Sequence, residues 1–240
     1  MKSAVVKSAA QSVIRPDFAR AGEVGAVKAS TWRLGTPERQ RAAVDAIAGA
    51  WERRPWPAAA LLSYTVLAGT DGDSLFHFSQ WADGPAYEEF FRTSRDERNA
   101  EVDAAVPGIV RVGLDDYRPY RSVGTAAASP GCVVIVEAAF DPAVPDAARA
   151  FADLVLDARA TDPAPAAGGL SGNFHLSPDG TRMLNYAEWD SEQAHAQALA
   201  SPGPGVGSDT GQWRRVLDFA ALGTNGFRRY VPALALVPRP

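Results

Sequence analysis

The chain has 240 residues, with 24 Lys and Arg against 28 Asp and Glu and a net charge of −4. Hydrophobic residues at 46% and charged residues at 22% are the proportions of a folded globular protein. The acidic balance argues against a nucleic-acid partner, and no apolar run approaches the roughly 18 residues of a membrane span.

Residues 1–23 read as a loose leader with no apolar h-region, so no secretory signal is expected and the protein is placed in the cytoplasm. Val24–Arg33 reads as a strand. Thr36 and Pro37 start a helix as cap and first-turn residue. Val44, Ile47, Ala48 and Trp51 mark its buried stripe. Leu61–Gly69 and Ser74–Trp81 form a hairpin around Thr70-Asp71-Gly72-Asp73. Asp83 caps a second helix with Tyr87, Phe90 and Phe91, and the run Glu88, Glu89, Arg95, Asp96, Glu97 and Arg98 reads as a solvated face. Val110–Arg121 ends a first domain at 24–121. The small-residue stretch SVGTAAASPG at 122–131 reads as a linker. A second domain, 132–237, repeats the order. Val133–Phe140 is a strand, Pro145–Ala160 a helix, and Gly169–Ser177 with Thr181–Trp189 a hairpin. Ser191–Ala200 begins a helix that SPGPGVGSDTG (201–211) interrupts. Gln212–Leu222 resumes it and Phe227–Val237 is the last strand. Cys132, the one cysteine, excludes an intrachain disulfide and reads as an inert buried residue at a strand start. The three histidines, His77, His175 and His195, have no metal-ligand spacing.

The two domains are copies of one unit. Leu62-Ser63-Tyr64, Asp71-Gly72 and His77 to Trp81 recur 108 positions later as Leu170-Ser171-Gly172, Asp179-Gly180 and Asn185 to Trp189. The same offset pairs Trp32 with Phe140, Pro37 with Pro145 and Arg41 with Arg149. Two copies indicate an internal pseudo-dimer, since a solenoid needs three or more repeats. Strand, helix, strand, strand, helix, strand is a ferredoxin-like α+β order. Helices on one side leave the other face of each sheet bare, and the second copy is its natural cover, enclosing a barrel-like interior.

Pro178-Asp179-Gly180 fits a three-residue hairpin loop with a left-handed glycine. That register pairs Ser177 with Thr181, His175 with Met183, Asn173 with Asn185 and Ser171 with Ala187. Alternation then puts Asn173, His175, Asn185 and Trp189 on one face, toward the interior, and Gly172, Phe174, Leu184 and Tyr186 on the other. In the first copy the matching inward residues are Thr65, Leu67, His77 and Trp81, with Phe76 and Phe78 behind. Each polar residue here could instead bond a neighbouring loop, and a large aromatic at a strand end commonly closes a core.

A hairpin ending in Trp, followed six residues on by an aromatic or His, reads here as Trp81 with Tyr87 and Trp189 with His195. At these residues the chain resembles the antibiotic biosynthesis monooxygenase superfamily. The resemblance implies two tandem ferredoxin-like domains packed sheet-to-sheet as an intramolecular dimeric α/β barrel. Cofactor-independent oxygenases of aromatic polyketide tailoring resemble the pattern Asn-x-x-x-Trp, present as Asn185 and Trp189. The first copy departs from it with His77, which places the expected active site in the second half.

The resemblance implies an oxygenase that uses dioxygen as co-substrate to oxidise a polycyclic aromatic polyketide, giving a quinone or a cleaved ring, with no tightly bound cofactor, metal or haem. In that chemistry Asn185 and Asn173 hold the enolate oxygen, and His175 or His77 takes the proton. Trp189 and Trp81 stack the planar substrate and exclude water, with Tyr64, Tyr87 and His195 as further substrate contacts. The tandem layout is similar to that of angucyclinone ring-opening oxygenases, which implies a reduced flavin as helper and a flavin reductase as partner, although no G-x-G-x-x-G follows a strand. A homodimer is compatible with this reading. The superfamily also holds haem-degrading and non-oxygenase members. Two other readings therefore stay open: a non-catalytic protein that sequesters a small aromatic ligand, such as a stress protein, and a non-oxidative polyketide cyclase.

Overall fold

The computed structural model describes residues 10–13, 15–124, 129–201, 203 and 206–239. The chain is α+β and divides into two compact units, Met1–Leu114 with Ala233–Pro240, and Asp115–Pro232.

The first unit contains β1 (Ala10–Ser12), β2 (Ala26–Arg33), α1 (Pro37–Glu52), β3 (Leu61–Gly69), β4 (Ser74–Trp81), α2 (Gly84–Thr93) and α3 (Arg95–Ala105). It also takes the start of β5 (Val110–Gly124) and the end of β9 (Leu222–Pro238). Its sheet order is β1-β9-β3-β4-β2-β5. Among β2, β3, β4 and β5 this is the ferredoxin-like arrangement, with the first and third strands adjacent at the centre. The expected leader is partly structured. Residues 1–9 and 14 lie outside the described residues, but β1 pairs antiparallel with Leu236, Val237 and Pro238, and Phe18–Glu23 forms a 3₁₀ helix capped by Asp17. A short strand gains order because β9 offers it an open edge.

Local chemistry sets these elements. Thr36 caps α1 by accepting the Arg39 N–H at 3.3 Å, with Pro37 in the first turn. The buried side chains of α1 are Gln40, Ala43, Ile47, Ala50 and Trp51, so the stripe runs beside the one read from Val44 and Ala48, which are half-buried. Gln40 Nε2 donates to the carbonyls of Gly69 and Ser74 at 2.9 and 2.8 Å, pinning α1 to the base of the β3–β4 hairpin. In the turn, Asp71 Oδ1 accepts from Asp73 N and Ser74 N, and Gly72 sits at φ +71°.

The second unit contains the rest of β5, then β6 (Cys132–Phe140), α4 (Ala147–Ala160), β7 (Gly169–Leu176), β8 (Arg182–Trp189), α5 (Glu192–Ala200), α6 (Gly211–Leu217) and the start of β9. Its order β5-β7-β8-β6-β9 repeats the same connectivity. The expected linker is corrected at its start: Ser122, Val123 and Gly124 pair with Asn173, Gly172 and Ser171 as part of β5, while residues 125–128 lie outside the described residues. Cys132 is fully buried, and burial raises its thiol pKa.

The β7–β8 register differs from the expected one by one residue. Phe174 faces Asn185, Asn173 faces Tyr186, and His175 faces Leu184. The Ser177 N–H reaches the Arg182 carbonyl at 3.0 Å, so the loop has four residues, 178–181. Asp179 Oδ1 accepts from Ser177 Oγ, Thr181 N and Thr181 Oγ1, and these bonds hold Thr181 inside the loop. Because strand side chains alternate with period two, the one-residue slip turns the partner strand over.

Candidate functional site

The slip rearranges the expected constellation. Phe174, Leu176 and Met183 pack with Phe151 and Leu156 of α4, which identifies the helix side of the second sheet. Trp189 clusters with Ala198 of α5 on that side. Alternation puts Asn185 beside Met183 and Trp189, and puts Asn173 and His175 on the opposite face with Leu184 and Tyr186. The four residues thus do not converge. Asn173 also lacks a free donor: its Nδ2 donates to Ser171 Oγ at 3.1 Å and the Tyr186 carbonyl at 3.0 Å. Both amide hydrogens of Asn173 are thus engaged within the sheet. His175 is buried, and burial lowers its pKa to about 4. His195 lies edge-on to Trp189 at 4.9 Å and to Phe227 at 5.1 Å, and its Nδ1 accepts from Arg229 Nε at 2.9 Å.

In the first unit the alternation brings Tyr64, His77, Ser79 and Trp81 to the helix side, while Thr65, Leu67, Phe76 and Phe78 face away. The placement of Thr65 and Leu67 with His77 and Trp81 is therefore corrected. Between this face and the helices lies a cleft of about 100 Å³. Its aromatic walls are Trp32, Trp51, Tyr64, Trp81, Tyr87 and Phe90. Of the residues nominated from sequence, Tyr64, His77, Trp81 and Tyr87 line this one cleft, and Asn173, His175, Asn185, Trp189 and His195 do not.

Two layered stacks meet at its centre. Arg111 lies over Trp32 at 4.4 Å, and Trp32 lies 4.1 Å from the His77 ring. Arg98 lies over Trp51 at 4.9 Å, and Trp51 stacks on Tyr64 at 4.4 Å. A 2.8 Å hydrogen bond between Tyr64 Oη and His77 Nδ1 joins them. Burial, then the charges of Arg111 and Arg95, lower the His77 pKa to about 3. Burial raises that of Tyr64. Both groups are therefore neutral at pH 7. His77 Nε2 is buried with no hydrogen-bond partner among the described residues. Such an atom calls for an explanation, and a bound water or a ligand group is one that fits its place in the cleft lining. At the far end Trp81 Nε1 donates to Ser79 Oγ at 2.9 Å, and Trp81 meets Tyr87 edge-on at 5.4 Å.

No family model matches the chain, and no curated protein matches it. Solved structures do match. An anthrone oxidase-like protein superposes with a TM-score of 0.67 at 15% identity, over 94% of this chain and 95% of that one. A candidate monooxygenase from Lactobacillus acidophilus NCFM gives 0.57 at 10% identity, over 89% and 96%. A candidate chlorite dismutase gives 0.52 at 8%, over 86% and 94%. At these identities the likeness shows the fold alone.

The residues that sequence reasoning missed are basic. Arg98 was expected on a solvated face, yet it is 6% exposed, and its guanidinium donates to the carbonyls of Ser94 and Pro55. The signal was the spacing of Arg95, Arg98, Asn99 and Val102, which is a helical stripe ending in a buried valine. Among the described residues no group of three or more His, Cys, Asp or Glu side chains could hold a metal ion. Among the described residues no helix is long and apolar enough to cross a membrane.

Proposed function

We propose that the protein is an oxygenase that binds a planar aromatic substrate in the first-unit cleft and oxidises it with dioxygen. The observation that carries this is the neutral Tyr64–His77 pair set between tryptophan stacks, with His77 Nε2 unpartnered. The name of the anthrone oxidase-like neighbour is in keeping with it. Tyr64 keeps its proton and donates it to Nδ1, which fixes the tautomer with hydrogen on Nε2. Nε2–H then donates to the oxygen of a substrate enolate or phenolate. The Arg111 and Arg95 charges that disfavour an imidazolium favour that anion. This changes the expected role of His77 from proton acceptor to oxyanion donor. The substrate gives up its acidic proton to solvent in forming that anion, the electron-rich carbon adds dioxygen, and the resulting peroxide anion takes a proton back from solvent to become a hydroperoxide. Loss of water leaves a carbonyl, so one oxygen atom is retained and one departs as water. An aromatic polyketide is the substrate class this reading favours.

Free volume of about 100 Å³ falls short of the roughly 300–1,000 Å³ of drug-sized sites, so a multi-ring ligand enters only with side-chain movement. A resident flavin beside such a substrate does not fit, and no step is assigned to one. The test is an oxygen electrode with an anthrone, with and without reduced flavin as a diffusible co-reactant. Uptake of one dioxygen per substrate oxidised, abolished by blocking the cleft, is expected. Ligand binding without oxygen uptake in either arm would favour the sequestering or cyclase readings instead.

A further inference from the structure

The cleft carries more positive charge than oxidation of a neutral aromatic requires. Lys28, Arg95, Arg98 and Arg111 line it, and no carboxylate is among the described lining residues. This occurs in a chain whose net charge is −4. Arg98 has no carboxylate partner among the described residues: its two bonded nitrogens donate to backbone carbonyls. Arg111 has Asp103 at 2.9 Å on one nitrogen. The Nε atoms of both Arg98 and Arg111 are buried without a hydrogen-bond partner, as is His77 Nε2. A buried, unsatisfied donor on a charged group is costly and calls for an explanation. The cations are also held in place by aromatic faces, since Arg111 rides on Trp32, and Arg98 on Trp51 and Phe90.

We infer that the substrate is an aromatic acid, whose ionised carboxylate is held by Arg98 and Arg111 while its ring system lies among the tryptophans. The inference rests on reading this cleft as the substrate site. A guanidinium matches a carboxylate in shape and charge, and a charge-assisted bond of this kind is about twice as strong as a neutral one. The arginines then set selectivity, and His77 keeps the reacting oxygen.

The test is calorimetric titration of the full chain with 1-naphthoate, its methyl ester and 1-naphthalenemethanol. Naphthoate is expected to bind at least tenfold more tightly than either neutral ligand, with affinity falling as salt rises. Arg111→Gln is expected to remove about tenfold or more of naphthoate affinity and several-fold less of the ester's. Arg98→Gln serves the same purpose, but Arg98 ties α3 to Pro55, so far-UV circular dichroism must first show that it folds. Equal binding of acid and ester, lost in Trp81→Ala, would leave the aromatic site standing and overturn the carboxylate assignment. Binding of none of the three would overturn both.

Discussion

His77 and Asn185 occupy matching places 108 positions apart, and the structure separates them by their surroundings. His77 hydrogen-bonds to Tyr64 and lines the cleft, whereas the place matching Tyr64 in the second copy is Gly172, which supplies no ring. His77→Ala is therefore expected to lower turnover by about 10²–10³, the scale of losing one oxyanion donor. Asn185→Ala should stay within a few-fold of wild type. Steady-state oxygen uptake checks both, and the reverse pattern would move the site to the second unit. Tyr64→Phe tests the tautomer. It leaves the stack on Trp51 but removes the phenol, so kcat should fall while KM changes little. Because the His77 pKa lies at about 3, the rate should show no limb near pH 6.5 from this residue. Stability should respond differently. His77 and His175 have folded pKa values of about 3 and about 4, below the ~6.5 of an unfolded imidazole. Between those values the unfolded chain binds more protons, so stability is complete above about pH 6.5 and is lost as pH falls through the window. The slope approaches about 1.4 kcal/mol per pH unit for each histidine. Urea unfolding at several pH values should show it, with His175→Gln reducing the slope by one proton.

At the scale of the element, the two hairpins share a turn but not a setting. Gly72 and Gly180 both adopt left-handed backbone, φ +71° and +72°. A Cβ on Gly72 would lie 2.7 Å from Pro37 Cγ, in the first turn of α1, whereas one on Gly180 meets nothing within 4 Å. Gly180→Ala should cost about 1–2 kcal/mol from backbone strain alone. Gly72→Ala should cost more, because a proline ring cannot swing aside; the two urea midpoints give the comparison. The same turns explain what could be read in advance. Asp-Gly announced both hairpins, and the bounds of β3 and β4 follow directly from their apolar runs. Loop length did not follow, because Pro178-Asp179-Gly180 suits three or four residues equally. The carboxylate of Asp179, bonded to Thr181 and Ser177, decided for four. Arg98 illustrates the same limit: a charged run reads as solvated until a tryptophan from another element lies beneath it.

On the scale of the whole molecule, the first unit is not a continuous stretch of chain. It ends at Leu114 and resumes at Ala233, where β9 lies beside β3. Ala235 and Leu236 are buried there, and Leu236 joins the core of Ile47, Leu61 and Trp81. Deleting 233–240 should therefore strip β3 of a neighbour and lower stability by several kcal/mol. Hydrogen exchange of the β3 amides should quicken; unchanged protection would show that β9 contributes little to this unit. The sequence by itself determined the α+β class, the recurrence of one element order, the two hairpins and the aromatic residues Tyr64, Trp81 and Tyr87 that the fold brings to one cleft. These rest on periodicity, turn chemistry and an internal repeat, all of which are local or one-dimensional. Only the tertiary structure decided the face on which each strand residue lies and which copy holds the cleft. Only it showed that Arg98 and Arg111 surround the cleft. Those outcomes depend on a one-residue register and on packing between segments distant in the chain, such as α1, α3 and β5, where no local pattern records the partner.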